Sequence, residues 1–166
     1  GEALRGPGER YDSARPGVEI QISREPVGVV GLITPWNFPI GIPSWKIAPA
    51  LAWGNAVVLK PADLVPGSAW ELARIIHEAG VPAGVFNLVM GRGTVVGAEI
   101  IANPGVDAIS FTGSTATGAQ ILQGAAARGA KVQMEMGGKN PLVVLADADL
   151  DRAAQVALDG AFYQTG

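Results

Sequence analysis

Asn37 lies in the stretch from Ile33 to Pro39, where prolines on either side restrict the backbone. Trp36 and Phe38 flank it directly, and we expect them to anchor it. A rigidly held side-chain amide can donate a hydrogen bond to a developing oxyanion, which contributes about 3 kcal/mol in other enzymes. An asparagine in an ordinary turn is the alternative, and this segment taken alone favours that alternative.

A carboxylate, Glu135, lies between two methionines in the stretch from Val132 to Pro141, and a pair of glycines follows it. At the end of a strand, partial burial would raise the pKa of Glu135 and suit it to act as a general base. The alternative is a solvated glutamate that pairs with Lys139. The stretch is the most unusual string in the chain.

Two charged residues, Lys60 and Asp63, follow the apolar run that ends at Leu59. A lysine at the end of a buried strand can reach the hydroxyl or phosphate groups of a cofactor. The aspartate can accept hydrogen bonds from ribose hydroxyls and repel a 2′-phosphate. Taken alone, this segment favours the alternative that both side chains reach water where the strand emerges.

Two segments of small residues could face a phosphate. Gly91–Gly97 nearly matches the dinucleotide pattern Gly-x-Gly-x-x-Gly, but its last spacing is one residue too long, and a plain turn explains it nearly as well. Ser114 opens a run of small residues between an apolar run and a helical pattern, so free N–H groups could face an anion there. A simple serine cap explains that segment equally well. It is not a P-loop, because Ala119 stands where the lysine would be.

The elements that must position these residues alternate along the chain. Unbroken apolar runs are typical of strands buried on both faces, and they are Val27–Ile33, Ala56–Leu59, Val85–Met90, Ala108–Phe111, Lys131–Met134 and Leu142–Leu145. Segments with helical spacing lie at roughly 41–53, 67–79, 94–102, 115–127 and after Asp149. This alternation predicts an α/β fold, with a parallel sheet covered by helices on both faces and ligands at the carboxyl ends of its strands.

The first part of the chain differs in character. Residues 1–17 predict an irregular arm, whereas Val18–Ser23 alternates apolar and polar residues and predicts a strand with one wet face, which could end a hairpin that packs on another subunit. We therefore expect an arm or edge strand over residues 1–25 and a dinucleotide-binding domain over residues 26–166.

Composition excludes several classes of function. Charged residues make up 16% of the 166 residues, against a typical ~25%, which indicates a surface partly covered by other protein, in a larger body or an oligomer. The net charge of −3 gives no indication of a basic surface that would bind nucleic acid. Without cysteine the chain has no disulfide, thiolate metal site or thiol nucleophile, and its single histidine, His77, lies off the apolar stripe of its helix. We expect that histidine to be solvated and no metal to be bound.

No signal peptide or membrane span is predicted. Residues 1–15 have no apolar core, and the apolar stretch Pro39–Leu59 is interrupted by Lys46, prolines and a Gly-Asn pair. The sequence predicts a soluble, cytoplasmic protein.

Taken together and in order, four of these segments resemble the aldehyde dehydrogenase superfamily, from about Arg24 to Gly166. They are Pro35-Trp-Asn-Phe-Pro39, Lys60-Pro-Ala-Asp63, Phe111-Thr-Gly-Ser114 and Met134-Glu-Met-Gly-Gly-Lys-Asn-Pro141. The resemblance implies a Rossmann-like parallel sheet with helices on both faces, as an incomplete domain of a larger aldehyde dehydrogenase fold.

The resemblance also implies roles for individual residues. Asn37 would be the oxyanion donor, together with the backbone N–H of the nucleophile, and Glu135 would be the general base that activates water. The residues implied for the cofactor are Thr34, Pro35, Trp36, Lys60 and Asp63 on the adenosine side, Gly93 at the adenine, Phe111, Gly113, Ser114 and Thr117 around the pyrophosphate, and Met136 and Gly137 near the nicotinamide. The implied cofactor is NAD; NADP remains possible because Asp63 is shorter than the family's common glutamate.

The implied reaction oxidises a small aldehyde to a carboxylic acid through a cysteine thioester, with hydride passing to NAD(P)⁺ and water then hydrolysing the thioester. In the family the nucleophile follows a Gly-Gln-x-Cys stretch, whereas this chain ends at Phe162-Tyr-Gln-Thr-Gly166. The resemblance therefore predicts an internal fragment, inactive alone, of a homo-oligomeric enzyme. The residues of Met134–Pro141 and of Phe162–Gly166 are similar to those of the 2-oxoglutarate semialdehyde dehydrogenases. A non-catalytic relative and an acylating relative that releases the thioester to coenzyme A are the alternatives; Glu135 counts against both.

Overall fold

The computed structural model describes residues 5–6, 8–138 and 140–163. Near its start, strands β1 (Gly8–Asp12) and β2 (Glu19–Ser23) pair as an antiparallel hairpin, with Gly8 opposite Ser23. The prediction of an irregular arm over residues 1–17 is therefore wrong for β1. That strand has no apolar alternation to reveal it, and its pairing with β2 supplies the order, aided by an ion pair between Arg10 and Glu19.

The main sheet has five parallel strands in the order β5–β4–β3–β6–β7. Its strands are β3 (Val29–Ile33), β4 (Ala56–Lys60), β5 (Phe86–Leu88), β6 (Ala108–Gly113) and β7 (Lys131–Met136). The helices are α1 (Gly41–Ala52), α2 (Pro66–Glu78), α3 (Ala98–Ala102), α4 (Thr115–Ala126) and α5 (Leu150–Phe162). A wide, π-type turn over Gly93–Gly97 leads directly into α3, so the predicted helix at 94–102 has two parts.

Helices cover the sheet on both faces. On one face, α3 and α4 pack on a core of Ile100, Val106, Ile109, Phe111, Ile121 and Ala125. On the other face, α1 and α2 pack on Leu32, Ile47, Val57 and Leu59. Because neighbouring strands are in register and side chains alternate along each strand, each layer of the fold receives every second residue. The predicted α/β fold with a doubly covered parallel sheet is confirmed.

Helix α2 has the ends that its sequence predicts. Pro66 occupies its first turn, where a missing N–H costs nothing, and Gly80 takes a φ of 84° just beyond its last turn. His77 is exposed, as predicted, whereas Ile75 of the predicted apolar stripe is also exposed.

The prediction of a buried strand at Leu142–Leu145 is wrong. All four side chains are exposed and the segment belongs to no strand. Hydrophobicity predicts that these side chains are buried, but a strand also needs a neighbouring strand to form hydrogen bonds with its backbone. In the described part of the chain β7 pairs with β6 alone, and nothing pairs with residues 142–145.

Candidate active site

The predicted site segments meet at one edge of the main sheet. Because its five strands are parallel, their carboxyl ends lie side by side. Ile33, Lys60 and Gly113 end the three central strands at this edge, and Met136 ends the outer strand β7. The loop that contains Asn37, the loop that contains Asp63 and the start of α4 follow directly from these ends.

A cleft of about 690 Å³ opens at this edge, on the face that α3 and α4 cover. It is lined by Ile33, Asp63, Arg92, Gly93, Thr94, Gly97, Ala98, Ile101, Thr117, Gln120 and Ile121. Three of the residues implied for the cofactor, Asp63, Gly93 and Thr117, therefore share one cleft. Residues of the near-match glycine segment and of the start of α4, the two segments that could face a phosphate, both line it.

Lys60 fixes the acidic side of the cleft. Its ammonium group donates hydrogen bonds to Asp63 Oδ1 at 2.8 Å and to the carbonyl of Pro61 at 2.9 Å. Lys60 is buried, so the alternative of a lysine that reaches water is wrong, whereas the Asp63 side chain remains about half exposed. Lys60 thus holds the Asp63 carboxylate in place while one face of that carboxylate stays open to the cleft.

The start of α4 is built by Ser114. Its Oγ accepts a hydrogen bond from the backbone N–H of Thr117 at 3.3 Å and donates one to Thr117 Oγ1 at 2.9 Å. Ser114 is thus a helix cap, which satisfies one free N–H of the first turn and leaves others available. The cap and the anion-facing helix start are compatible, because both use the same exposed turn.

Phe111 and Gly113 act together below the cleft. Phe111 is buried in the core and is not among the residues that line the cleft, so its implied place beside the pyrophosphate stays a prediction. Its ring lies so close to Gly113 that a Cβ on residue 113 would stand 2.5 Å from Phe111 Cζ. Phe111 therefore supports the bend at the strand end, and only glycine fits beside it.

The loop after β3 carries four predicted site residues. Thr34 is buried, and its Oγ1 has no hydrogen-bond partner among the described residues. Pro35 leads to Trp36, which is 60% exposed, and then to Asn37, which is exposed in a bend. The expected anchoring of Asn37 by its aromatic neighbours is not found, because both Trp36 and Phe38 project from the described chain. The bend is instead closed by a backbone hydrogen bond from Ile42 N–H to the carbonyl of Phe38, at 3.2 Å.

Glu135 lies on the opposite face of the sheet from the cleft. It pairs in register with Thr112, whereas its neighbours Met134 and Met136 pair with Phe111 and Gly113 on the cleft face. Met136 packs against α4, where a Cβ at Gly118 would stand 2.3 Å from its Sδ, and Gly137 has open space around it. The sheet edge thus separates a carboxylate on one face from the cleft on the other.

A lysine from α1 meets Glu135. Lys46 is buried, and its ammonium group donates to Ser110 Oγ at 2.8 Å, Gln133 Oε1 at 3.1 Å and Glu135 Oε1 at 3.4 Å. Burial lowers the pKa of Lys46, and the charge of Glu135 opposes that shift. Gln133 Nε2 also donates to Glu135 Oε1 at 2.9 Å, and Thr112 Oγ1 donates to Oε2 at 3.3 Å.

These contacts correct the expected titration of Glu135. The hydrogen bond from Gln133 and the nearby Lys46 ammonium lower the pKa of Glu135 below its usual range, and they outweigh the opposing effect of burial. The Glu135 side chain is about half exposed, so its burial is too slight to raise the pKa as the sequence predicted. The alternative partner, Lys139, lies outside the described residues; the observed cation is Lys46.

Sequence reasoning missed Lys46 and Arg92. In the sequence, Lys46 indicates only that its apolar stretch does not span a membrane. A lysine in an otherwise apolar helix is itself a signal, because a buried ammonium group requires partners. Arg92, to which the glycine pattern assigns no role, lines the cleft beside Asp63 and forms no ion pair with the described residues.

The cleft fits a dinucleotide on its own chemistry. The buried hydroxyl of Thr34, at the strand end, has no partner among the described residues. The acidic side chain of Asp63 faces the cleft, and no described atom lies within 4 Å of a Cβ built on Gly93. Among residues 5–6, 8–138 and 140–163, no group of three His, Asp or Glu side chains could hold a metal ion. No helix in that part of the chain is long and apolar enough to cross a membrane.

Comparison with known proteins identifies the family. The profile described as "Aldehyde dehydrogenase family" matches residues 1–166. Alpha-ketoglutaric semialdehyde dehydrogenase of Bacillus subtilis (strain 168) is 50% identical over 166 residues, which are 100% of this chain and 34% of that protein. Betaine aldehyde dehydrogenase of the same organism is 48% identical over 159 residues, 96% of this chain and 32% of that protein.

A solved structure agrees with these relatives. The crystal structure of betaine aldehyde dehydrogenase from Staphylococcus aureus in complex with NAD⁺ superposes with a TM-score of 0.88 at 42% identity, over 98% of this chain and 32% of that one. The chain therefore belongs to the aldehyde dehydrogenase family, and it spans about a third of the length of the relatives that it matches.

Proposed function

We propose that this chain supplies the cofactor-binding part of an NAD-dependent enzyme that oxidises a small aldehyde to a carboxylic acid. The observation that carries the proposal is the sheet edge itself, which presents a dinucleotide-sized cleft on one face and a paired carboxylate, Glu135, on the other. The family match and the NAD⁺ bound to the solved relative support the same function.

The cofactor residues divide between the walls of the cleft. Asp63, held by Lys60, accepts hydrogen bonds from ribose hydroxyls, and Gly93 permits close approach of the adenine ring. The first turn of α4, beginning at Ser114, faces the pyrophosphate. Pro35, Trp36, Met136 and Gly137 follow or end strands at the same edge of the sheet, which supports further contacts with the cofactor there. When bound, NAD accepts the hydride that the substrate loses.

Glu135 serves as the general base for the hydrolytic half of the reaction. Its carboxylate is ionised at neutral pH and can take a proton from water, and its lowered pKa makes it a weaker base than the sequence predicts. Lys46 balances that charge from the buried side. Asn37, exposed at the neighbouring loop, donates its side-chain amide to the oxyanion of the tetrahedral intermediates. The thiol nucleophile belongs to the part of the enzyme that this chain does not contain.

For the substrate we propose 2-oxoglutarate semialdehyde. The 50% identical relative bears that activity in its name. A relative named for betaine aldehyde is 48% identical, so identity alone does not choose between them. The assay must therefore compare 2-oxoglutarate semialdehyde with betaine aldehyde. A homo-oligomer is part of the same proposal.

The test uses the full-length protein that contains this sequence, assayed for NADH and for acid with both aldehydes and a simple aliphatic aldehyde. We expect the highest kcat/KM for 2-oxoglutarate semialdehyde. Glu135→Gln is expected to lower steady-state acid formation about 10²- to 10⁴-fold, because it removes the base. Glu99→Gln, an exposed change on α3, is the matched control. Unchanged turnover in Glu135→Gln would reject the base, and absence of NADH with every aldehyde would reject the proposed activity.

A further inference from the structure

Gln133 lies next to the proposed base but has no role in the function described so far. It is two residues before Glu135 on β7, so both side chains project from the same face of the sheet, toward α1. In register it stands beside Ser110 of β6. Together with Lys46 of α1 these side chains form a closed polar cluster, which we call the Gln133 circuit: Lys46, Ser110, Gln133 and Glu135.

Each hydrogen bond in the Gln133 circuit has a defined direction. Lys46 donates to Ser110 Oγ, and the Ser110 hydroxyl donates to Gln133 Oε1. Lys46 also donates to Gln133 Oε1, so the amide oxygen accepts two hydrogen bonds. With its oxygen so occupied, the amide turns its nitrogen outward, and Nε2 donates to Glu135 Oε1 at 2.9 Å. Thus the buried lysine determines which end of the amide faces the carboxylate.

We propose that Gln133 is a positioning residue that holds the Glu135 carboxylate on the α1 face of the sheet, with Ser110 and Lys46 fixing the orientation of its amide. The inference rests on the proposed function, since it concerns the base of that reaction. A leucine of similar size would fill the same space without donating. A glutamate would accept from Lys46 and Ser110 but could not donate to Glu135 when ionised.

The groups around Glu135 explain why the amide matters. From α1 the charged neighbour is Lys46, at 3.4 Å; from β6 the hydroxyls of Thr112 and Ser110 face the cluster; and from β7 the neighbour is Gln133 itself. Lys46 is farther from Glu135 than Gln133 is, and it divides its three donors among three acceptors. The amide therefore makes the shortest contact to the carboxylate, and its loss leaves Glu135 easier to protonate and freer to rotate.

A cavity beside the circuit gives the carboxylate somewhere to move. It has a volume of about 290 Å³ and is lined by Ile42, Trp45, Lys46, Pro49, Ser110, Gln133 and Glu135. The donors of Gln133 and Lys46 draw Glu135 to the wall of this cavity. Removal of the amide is expected to let the carboxylate leave that wall, with Lys46 as its remaining charged partner.

The experiment is a pH series on the full-length protein that contains this sequence, with Gln133→Leu, Gln133→Glu and the exposed control Gln123→Leu on α4. The rate of acid release in a single turnover is measured at each pH. The fit uses the acidic limb of this pH profile, where protonation of the base stops hydrolysis. NADH release in the same turnover reports the step that precedes the base.

The expected result is a rise in the apparent pKa of the acidic limb for Gln133→Leu, equivalent to about a three- to tenfold gain in proton affinity. Gln133→Glu is expected to raise it further, because two carboxylates would share one lysine. The yield and rate of NADH should change little, and Gln123→Leu should match the parent protein. The separate variant Ser110→Ala is expected to raise the apparent pKa of the acidic limb by a smaller amount.

An unshifted acidic limb in both Gln133 variants, with folding verified by circular dichroism, would overturn the positioning role. Loss of NADH release in step with acid release would also overturn it, because that pattern indicates a merely structural role. The proposed function fails separately: if Glu135→Gln releases acid normally, Glu135 is not the base, whatever Gln133 does.

Discussion

Asp63 is the residue on which the proposed choice of NAD over NADP depends. Its carboxylate is fixed by the buried ammonium group of Lys60 and faces the cleft, where a ribose 2′-hydroxyl can donate to it and a 2′-phosphate is repelled. Arg92 lines the same cleft and forms no ion pair with the described residues, so its charge favours a 2′-phosphate. The two side chains thus act on the cofactor in opposite directions.

Asp63→Ala is expected to lower the ratio of NAD to NADP affinity about tenfold, since it removes one charge-assisted hydrogen bond and one repulsion. Titration of both cofactors by protein fluorescence in the full-length protein measures the ratio without turnover. Arg92→Ala should change the ratio in the opposite sense, and the exposed Asp147→Ala should leave it unchanged. Equal affinities in the parent protein would contradict the preference for NAD.

Residue identity alone could not predict the behaviour of Glu135. The sequence located the carboxylate at a strand end, but its partner Lys46 is 89 residues away in the chain. Local context suggested burial and a raised pKa, whereas the folded arrangement of Lys46 and Gln133 lowers it. The direction of a pKa shift depends on donors brought together by tertiary packing, which a linear motif does not contain.

The bend between β6 and α4 is the element whose geometry the cleft most requires. Gly113 lies over the ring of Phe111, and the strand must turn there so that Ser114 can cap α4. A methyl group at this position would force the buried ring or the backbone to shift.

Gly113→Ala is therefore expected to cost about 1–3 kcal/mol of folding free energy and to weaken cofactor binding. Denaturant unfolding and NAD titration of the full-length protein measure the two effects. Phe111→Leu should relieve part of the overlap, so the double variant is expected to recover some of the binding. Gly67→Ala, where no described atom lies near the added methyl, is the control. Normal stability and binding in Gly113→Ala would contradict this account of the bend.

At the level of elements, periodicity predicted most of the main sheet, its helices and the ends of α2. It failed where order depends on a neighbour: β1 has a weak pattern but a strand beside it, whereas Leu142–Leu145 has a strong pattern and no strand beside it. It also did not foresee the wide turn before α3, because glycine and valine in Gly93–Gly97 fit several helical geometries.

For the molecule as a whole, the low charge content agrees with an unusually apolar surface. Large apolar side chains project from α1, α2 and α5, and among them are Trp45, Trp70 and Phe162. Helix α5 has no buried residue, although Asp149 caps its start by accepting from the Arg152 N–H at 3.1 Å. Surfaces of this kind are covered in stable proteins by further chain or by other subunits.

The 166-residue chain produced alone is therefore expected to bind a hydrophobic dye far more strongly, per residue, than the full-length protein does. Because it contains no cysteine, it is also expected to show no aldehyde turnover. Dye fluorescence and size-exclusion chromatography with light scattering measure the exposed surface and the state of association. Turnover of a simple aldehyde by the chain alone, in the absence of any added thiol, would contradict the assignment of the nucleophile to another part of the enzyme.

The row of polar side chains on the α1 face of β7 also has a consequence for solubility. In the described part of the chain β7 is the last strand of its sheet, and a strand in that position offers free backbone groups to any other strand. Lys131, Gln133 and Glu135, which point to one side of it, are of the polar and charged kind that discourages such pairing. Gln133 and Glu135, for which we propose roles in the reaction, thereby also protect the edge from self-association. Apolar substitutions in this row consequently favour aggregation, independently of any effect on the chemistry.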